Sequence, residues 1–121
     1  MANRLLKIPF IAVGGIGDAR GFLAALAMGA QGVYIGTGFM TTKEYPISEE
    51  VKQRLVEQSS FDPDLYPKLY HHQLKESMCG SMTVGVINKT ITVQEFIGNI
   101  IENAEKNVRE WGFTGDIFST Y

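Results

Sequence analysis

A chain of 121 residues that is 45% hydrophobic and 20% charged has the composition of a soluble globular protein, and its length sets an expectation of one small domain. A formal charge of −2 provides no basic field for nucleic acid or an anionic membrane surface, so neither is an expected partner. Cys79 is the single cysteine and cannot close an intrachain disulfide; a lone thiol beside five methionines fits a reducing, cytoplasmic compartment.

In chain order, Met1 to Lys7 leads into an apolar run, Ile8 to Val13, that ends in glycines rather than a small-residue cleavage site. The run is too short to span a bilayer and does not resemble a signal peptide. Having no polar alternation, it reads as a parallel strand covered on both faces and closed by Gly14-Gly15. Asp18 stands at an N-cap position, and Phe22, Leu23, Ala25, Leu26 and Ala27 predict a helix of roughly three turns that stops at Gly29. Gln31 to Thr37 is a second short strand, so residues 1–40 read as β-α-β at the spacing of a right-handed parallel crossover.

Residues 41–90 read as a helical and irregular insertion. Thr41 to Pro46 is polar, and Ser48 followed by Glu49 and Glu50 predicts a helix to about Gln58. Ser59 to Pro67 holds two prolines, two aspartates and two serines and marks a connection; Lys68 to Glu76 reads as a short helix and Ser77 to Lys89 as irregular. Residues 91–112 form a closing element. Thr92-Val93-Gln94-Glu95 fits a capping box, and Ile97, Ile100, Ile101, Ala104, Val108 and Trp111 make one apolar stripe on a helix from Val93 to Trp111. Glu102 with Lys106 and Glu105 with Arg109 are the expected outward ion pairs, and residues 113–121 form a tail.

The glycines carry the chemistry. A strand ending in Gly14-Gly15 leaves backbone N–H groups with no side chain in front of them, next to the positive end of a helix, a corner suited to a phosphate dianion. Gly36-Thr37 ends the second strand in a like manner, adding a backbone N–H and a hydroxyl. Two neighbouring parallel strands ending so describe the phosphate site after the seventh and eighth strands of many (β/α)8 barrels; the alternative is that each glycine only makes a tight turn. A dinucleotide fingerprint is disfavoured, because Arg20 stands where its third glycine would be and no acid closes the following strand.

The segment Pro9-Phe10-Ile11-Ala12-Val13-Gly14-Gly15-Ile16-Gly17-Asp18-Ala19-Arg20-Gly21, followed by Ala24 to Gly29 and by Gln31-Gly32-Val33-Tyr34-Ile35-Gly36-Thr37-Gly38-Phe39, resembles the last β-α-β unit of nitronate monooxygenases, once called 2-nitropropane dioxygenases. Flavin-dependent enoyl-acyl-carrier-protein reductases share that unit. Met82 to Asn88 and the helix from Thr92 to Trp111 look like the closing segment of the same enzymes. The resemblance implies an α/β fold, the C-terminal part of a TIM barrel, with FMN as cofactor. It implies that Gly14, Gly15, Tyr34, Ile35, Gly36 and Thr37 hold the FMN phosphate, mostly through backbone N–H groups, and that the complete enzyme oxidises alkyl nitronates with oxygen or reduces an enoyl thioester. Three departures stand out: Gly38 replaces the family's usual arginine, Met82 replaces a common glutamine, and the six earlier strands, with the flavin-stacking residues and the base histidine, are not in this sequence.

His71 and His72 match no motif of that family and read as surface residues, Cys79 has neither a partner cysteine nor an adjacent histidine, and Asp18 reads as an N-cap. Phe61, Tyr66, Tyr70 and the tail aromatics read as packing residues. No catalytic residue and no metal ligand is assigned. Two strands cannot close a barrel, so the missing strands or self-association are expected to complete the sheet, with FMN and a small-molecule substrate as partners of the complete enzyme. A non-catalytic barrel remnant or assembly module without flavin is the alternative reading, as is another phosphate-binding barrel such as a hydroxy-acid oxidase.

Overall fold

A computed structural model describes residues 8–57 and 82–112. Strand β1 (Ile11–Val13) pairs in parallel with β2 (Gly32–Tyr34), with Ile11 opposite Gly32, Ala12 opposite Val33 and Val13 opposite Tyr34. The crossover is helix α1 (Ala19–Ala27). Asp18 starts it as an extended N-cap whose Oδ1 accepts the Gly21 N–H at 2.8 Å, as the sequence predicts. It ends in a Schellman arrangement: the Ala30 N–H reaches the Ala25 carbonyl at 3.1 Å and the Gly29 N–H reaches Leu26 at 2.8 Å. Gly29 holds φ +97°, a left-handed conformation that a side chain would strain.

Beyond β2 the chain turns at once into a one-turn helix, α2 (Thr37–Met40), then reaches α3 (Glu49–Glu57). Lys52 on α3 is almost fully buried at 2% exposure, and its Nζ donates to the Lys43 carbonyl at 3.0 Å and to Glu49 Oε1 at 2.8 Å. A charge this deep needs such partners, and together they clamp the 41–48 connection onto α3. Residues Met82–Val86, expected to be irregular, form a 3-10 turn with Thr83 and Val84 buried. This turn lies so close to Gly17 that a Cβ there would collide with the Thr83 and Val86 side chains, which gives Gly17 a packing reason to be glycine.

The closing helix α4 (Val93–Glu110) carries the full capping box. Thr92 Oγ1 accepts the Glu95 N–H at 3.1 Å, and Glu95 Oε2 accepts the Thr92 N–H at 2.8 Å. The backbone N–H of Thr92, and then its hydroxyl, hold the Glu95 carboxyl below its ordinary range, helped by Lys43 and Lys89. Glu95 therefore stabilises the fold above the unfolded carboxylate range, and that contribution disappears as pH falls through the lowered folded value. Acid titration followed by amide exchange at Glu95 and Phe96 should show this end of α4 fraying. Glu95→Gln should remove the acid-dependent component, and a variant curve superimposing on the parent would refute the assignment.

Three apolar clusters hold the parts together. Ala19 and Leu23 of α1 meet Ala104 and Val108 of α4; Ile16, Ala25 and Ala30 take Phe10, Ala12, Val33 and Ile35 against one face of the sheet; and Leu55 and Val84 join Met40, Ile47 and Val51. Burial of these surfaces supplies the main stabilising term.

Several expectations change. The first strand is shorter than Ile8 to Val13 and is covered on one face only: Ile8, Ile11 and Val13 are 68%, 64% and 69% exposed, and Tyr34 of β2 is 65% exposed. The unbroken apolar run is made for two covers, and the described residues supply one. On α4 the buried stripe is Phe96, Ile100, Ala104 and Val108, a strict four-residue spacing, whereas Ile97, Ile101 and Trp111 stay exposed. Ala19 and Leu23 of α1 cover Ala104 and Val108, and Phe39 of α2 meets Phe96. Arg109 pairs with Glu105 at 3.6 Å, but Lys106 turns to Glu110 at 3.8 Å instead of Glu102. With acids one turn away on either side and every partner exposed, the choice between them carries little energy. The expected connection at 59–67, the helix at 68–76, residues 77–81 of the irregular stretch, the tail at 113–121, and His71, His72 and Cys79 lie outside the described residues.

Candidate functional site

The two strands end together. Their ladder stops at Val13 opposite Tyr34, so Gly14 and Gly15 leave the sheet beside Ile35 and Gly36. Gly14 and Gly15 take φ +93° and +71°, two consecutive left-handed residues that only glycine adopts at little cost. Both are exposed, as is Gly36, and an ideal Cβ at any of the three would meet no heavy atom within 4 Å. Among the described residues, neither the Gly15 nor the Gly36 amide donates to a backbone carbonyl beyond the ladder. The result is an open corner, clear of side chains, at the ends of both strands.

The other sequence-selected residues divide between surface and core. Tyr34 projects from the uncovered sheet face, Ile35 packs into the cluster around Ile16, and Thr37 is buried at 7% exposure as the first residue of α2. Gly36 is the N-cap of α2, and its carbonyl accepts the Phe39 and Met40 N–H groups at 3.0 and 3.2 Å. Helix α2 was not foreseen, since four residues are too few to show a periodic signal.

Gly38 is a packing position. A Cβ there would lie 2.5 Å from Phe96 Cζ and 2.9 Å from Ile35 Cγ2, with Phe39 and Phe96 stacked edge to face at 5.3 Å. With Phe96 standing over it, this site has no room for a side chain, which gives the missing arginine a physical counterpart. Among the described residues no group of three or more His, Cys, Asp or Glu could hold a metal ion, and no helix is long and apolar enough to cross a membrane.

A parallel β-α-β crossover with glycine corners at both strand ends defines an α/β chain of the kind that presents its ligand groups at the carboxyl ends of its strands. Comparison narrows the class: the chain belongs to the nitronate monooxygenase family, whose profile, described as "Nitronate monooxygenase", matches residues 1–70. It is 33% identical over 96 residues to a probable nitronate monooxygenase of Staphylococcus haemolyticus (strain JCSC1435), covering 78% of this chain and 24% of that protein. It is 30% identical over 97 residues to a probable nitronate monooxygenase of Staphylococcus aureus (strain Newman), covering 79% and 25%. The chain thus spans about a quarter of the length of these curated relatives. Among solved structures it is similar to a FabK mutant from Thermotoga maritima, with TM-score 0.75, 26% identity, and coverage of 92% of this chain and 46% of that one. FabK from the same organism gives TM-score 0.73 at 23% identity, a likeness of fold.

Proposed function

We propose that this chain forms the phosphate-gripping corner of an FMN-dependent oxidoreductase of the nitronate monooxygenase type, as part of a (β/α)8 barrel whose other strands are supplied from outside the described residues. The observation that carries the reading is the pair of open, side-by-side strand ends at Gly14-Gly15 and Gly36. The fit is physical: consecutive left-handed glycines border space that no side chain occupies, and backbone amides turned into it would suit a dianion.

In this reading the Gly14, Gly15 and Gly36 amides hold the phosphate, the turn at Ile35 orients the second strand end, Thr37 supports it from the start of α2, and Tyr34 borders the cofactor. When bound, the flavin would supply the electron transfer, so the protein's task here is binding and orientation. No residue of this chain is given a catalytic role. Nitronate oxidation is the activity proposed for the complete enzyme, with enoyl-thioester reduction as the second candidate because of the FabK-like fold.

A titration of the chain with FMN, followed by flavin absorbance near ~450 nm and fluorescence quenching, tests the reading. Saturable binding competed by inorganic phosphate is expected. Absence of binding, in the chain alone and in the chain completed by the upstream segment of a relative, would leave a non-catalytic assembly module as the better description.

A further inference from the structure

Away from the glycine corner, a cleft of about 350 Å³ opens between the first turn of α1, the 86–91 segment and α4. None of Gly14, Gly15 or Gly36 lines it. Its floor is apolar, with Ile87, Phe96 and Ile100 buried, and its walls bring in two cations, Arg20 and Lys89, both exposed and, among the described residues, in no ion pair.

The α4 wall is unusual in composition. Asn99, Asn103 and Asn107 follow one another at four-residue spacing along the cleft. Asparagine is a poor helix interior residue because its amide competes with the backbone. Three in one row give the fold nothing in return: the Asn103 Nδ2 donates to the Asn99 carbonyl on its own helix at 2.7 Å, and no described side-chain bond links the row to another element. Asp18 is the one acid on the cleft wall among the described residues, and its Oδ1 is engaged by the Gly21 N–H. Glu95, near Lys89, is engaged in the Thr92 cap. In a chain of net charge −2, this cleft offers two cations in no described ion pair, the Asn99 and Asn107 amides in no described hydrogen bond, and an apolar floor.

We propose that this cleft binds a small organic anion, its carboxylate or phosphate head held by Arg20, Lys89 and the asparagine amides and its apolar body lying on Phe96 and Ile87. The volume suits such a ligand. Its lining shares no residue with the proposed FMN corner, and the two can fail independently.

Nitrogen-15 NMR of the 121-residue chain, titrated separately with phenyl phosphate, phenylacetate and inorganic phosphate, reads it out directly. Saturable shifts are expected at the Asn99, Asn103 and Asn107 side-chain amides with one of the two organic probes, and the stronger of these identifies the head group. Inorganic phosphate should bind at least about fivefold more weakly, for want of the apolar floor. Arg20→Gln and Lys89→Gln should each weaken binding about fourfold, the size of one exposed charge pair at roughly 5 Å. Lys106→Gln, outside the cleft, should change nothing, and far-ultraviolet circular dichroism should confirm that each variant is folded. Shifts confined to Gly14, Gly15 and Gly36, inorganic phosphate binding as tightly as the organic probes, or unchanged affinity in the Arg20→Gln/Lys89→Gln double variant would each overturn the proposal.

Discussion

Gly15→Asp should weaken FMN binding more than tenfold while leaving the helical circular dichroism of the chain unchanged. Aspartate is among the few residues that enter the left-handed region readily, so the φ of +71° at Gly15 is kept at modest cost. The space in front of Gly15 is empty of protein, so the new side chain enters without displacing anything. It then places a carboxylate where the proposed phosphate dianion would sit. Even at the dielectric of bulk water, a unit charge 5 Å from a dianion costs about 1.7 kcal/mol, a factor above tenfold, and partial exclusion of solvent raises this. Gly15→Ala serves as a second measurement, because it carries backbone strain with no charge and should lose less. If the Gly15→Asp chain takes up FMN with the parent's affinity, the phosphate does not lie at this corner.

This prediction uses the part of the molecule most legible in the sequence. Local chemistry reads well: Asp18 before an apolar helix, Gly29 after it, and Thr92 with Glu95 each announce a cap through their own hydrogen bonds, and all three stand where expected. The adjacency of the two glycine corners was also legible, because a parallel crossover of this length returns the second strand beside the first. What could not be read depends on neighbours distant in sequence. Whether Ile97 or Phe96 is buried on α4 is decided by what packs there, Gly38 and Phe39 of α2, and not by α4 itself. The role of Gly38 depends on Phe96, and that of Gly17 on Thr83 and Val86, both contacts across more than fifty residues. The cleft walled by Arg20, Lys89 and the Asn99 row is assembled from three separate segments, none of which shows a pattern alone.

The uncovered sheet face should make the chain self-associate, and the double variant Ile11→Lys/Val13→Lys should abolish that association. Ile8, Ile11, Val13 and Tyr34 each leave about two thirds of their surface open. Covering a Val or Ile fully is worth about 1.5–3 kcal/mol, so finishing the burial of Ile11 and Val13 alone would contribute about 2–4 kcal/mol, or roughly thirtyfold to nearly a thousandfold in association. Lysine at both positions removes that gain and adds like charges on facing copies, a device by which natural sheet proteins keep exposed strands apart. Neither side chain belongs to the three apolar clusters, so helix content and the unfolding midpoint of the monomer should change little. Light scattering across a concentration series should show the parent growing in mass and the variant remaining a monomer. The same variant should fail to recombine with a separately expressed upstream barrel segment from a relative, since that segment would have to lie on this face. A parent chain that stays monomeric throughout, or a lysine variant that associates as the parent does, would mean that this face is satisfied in some other way and that the chain does not depend on added strands.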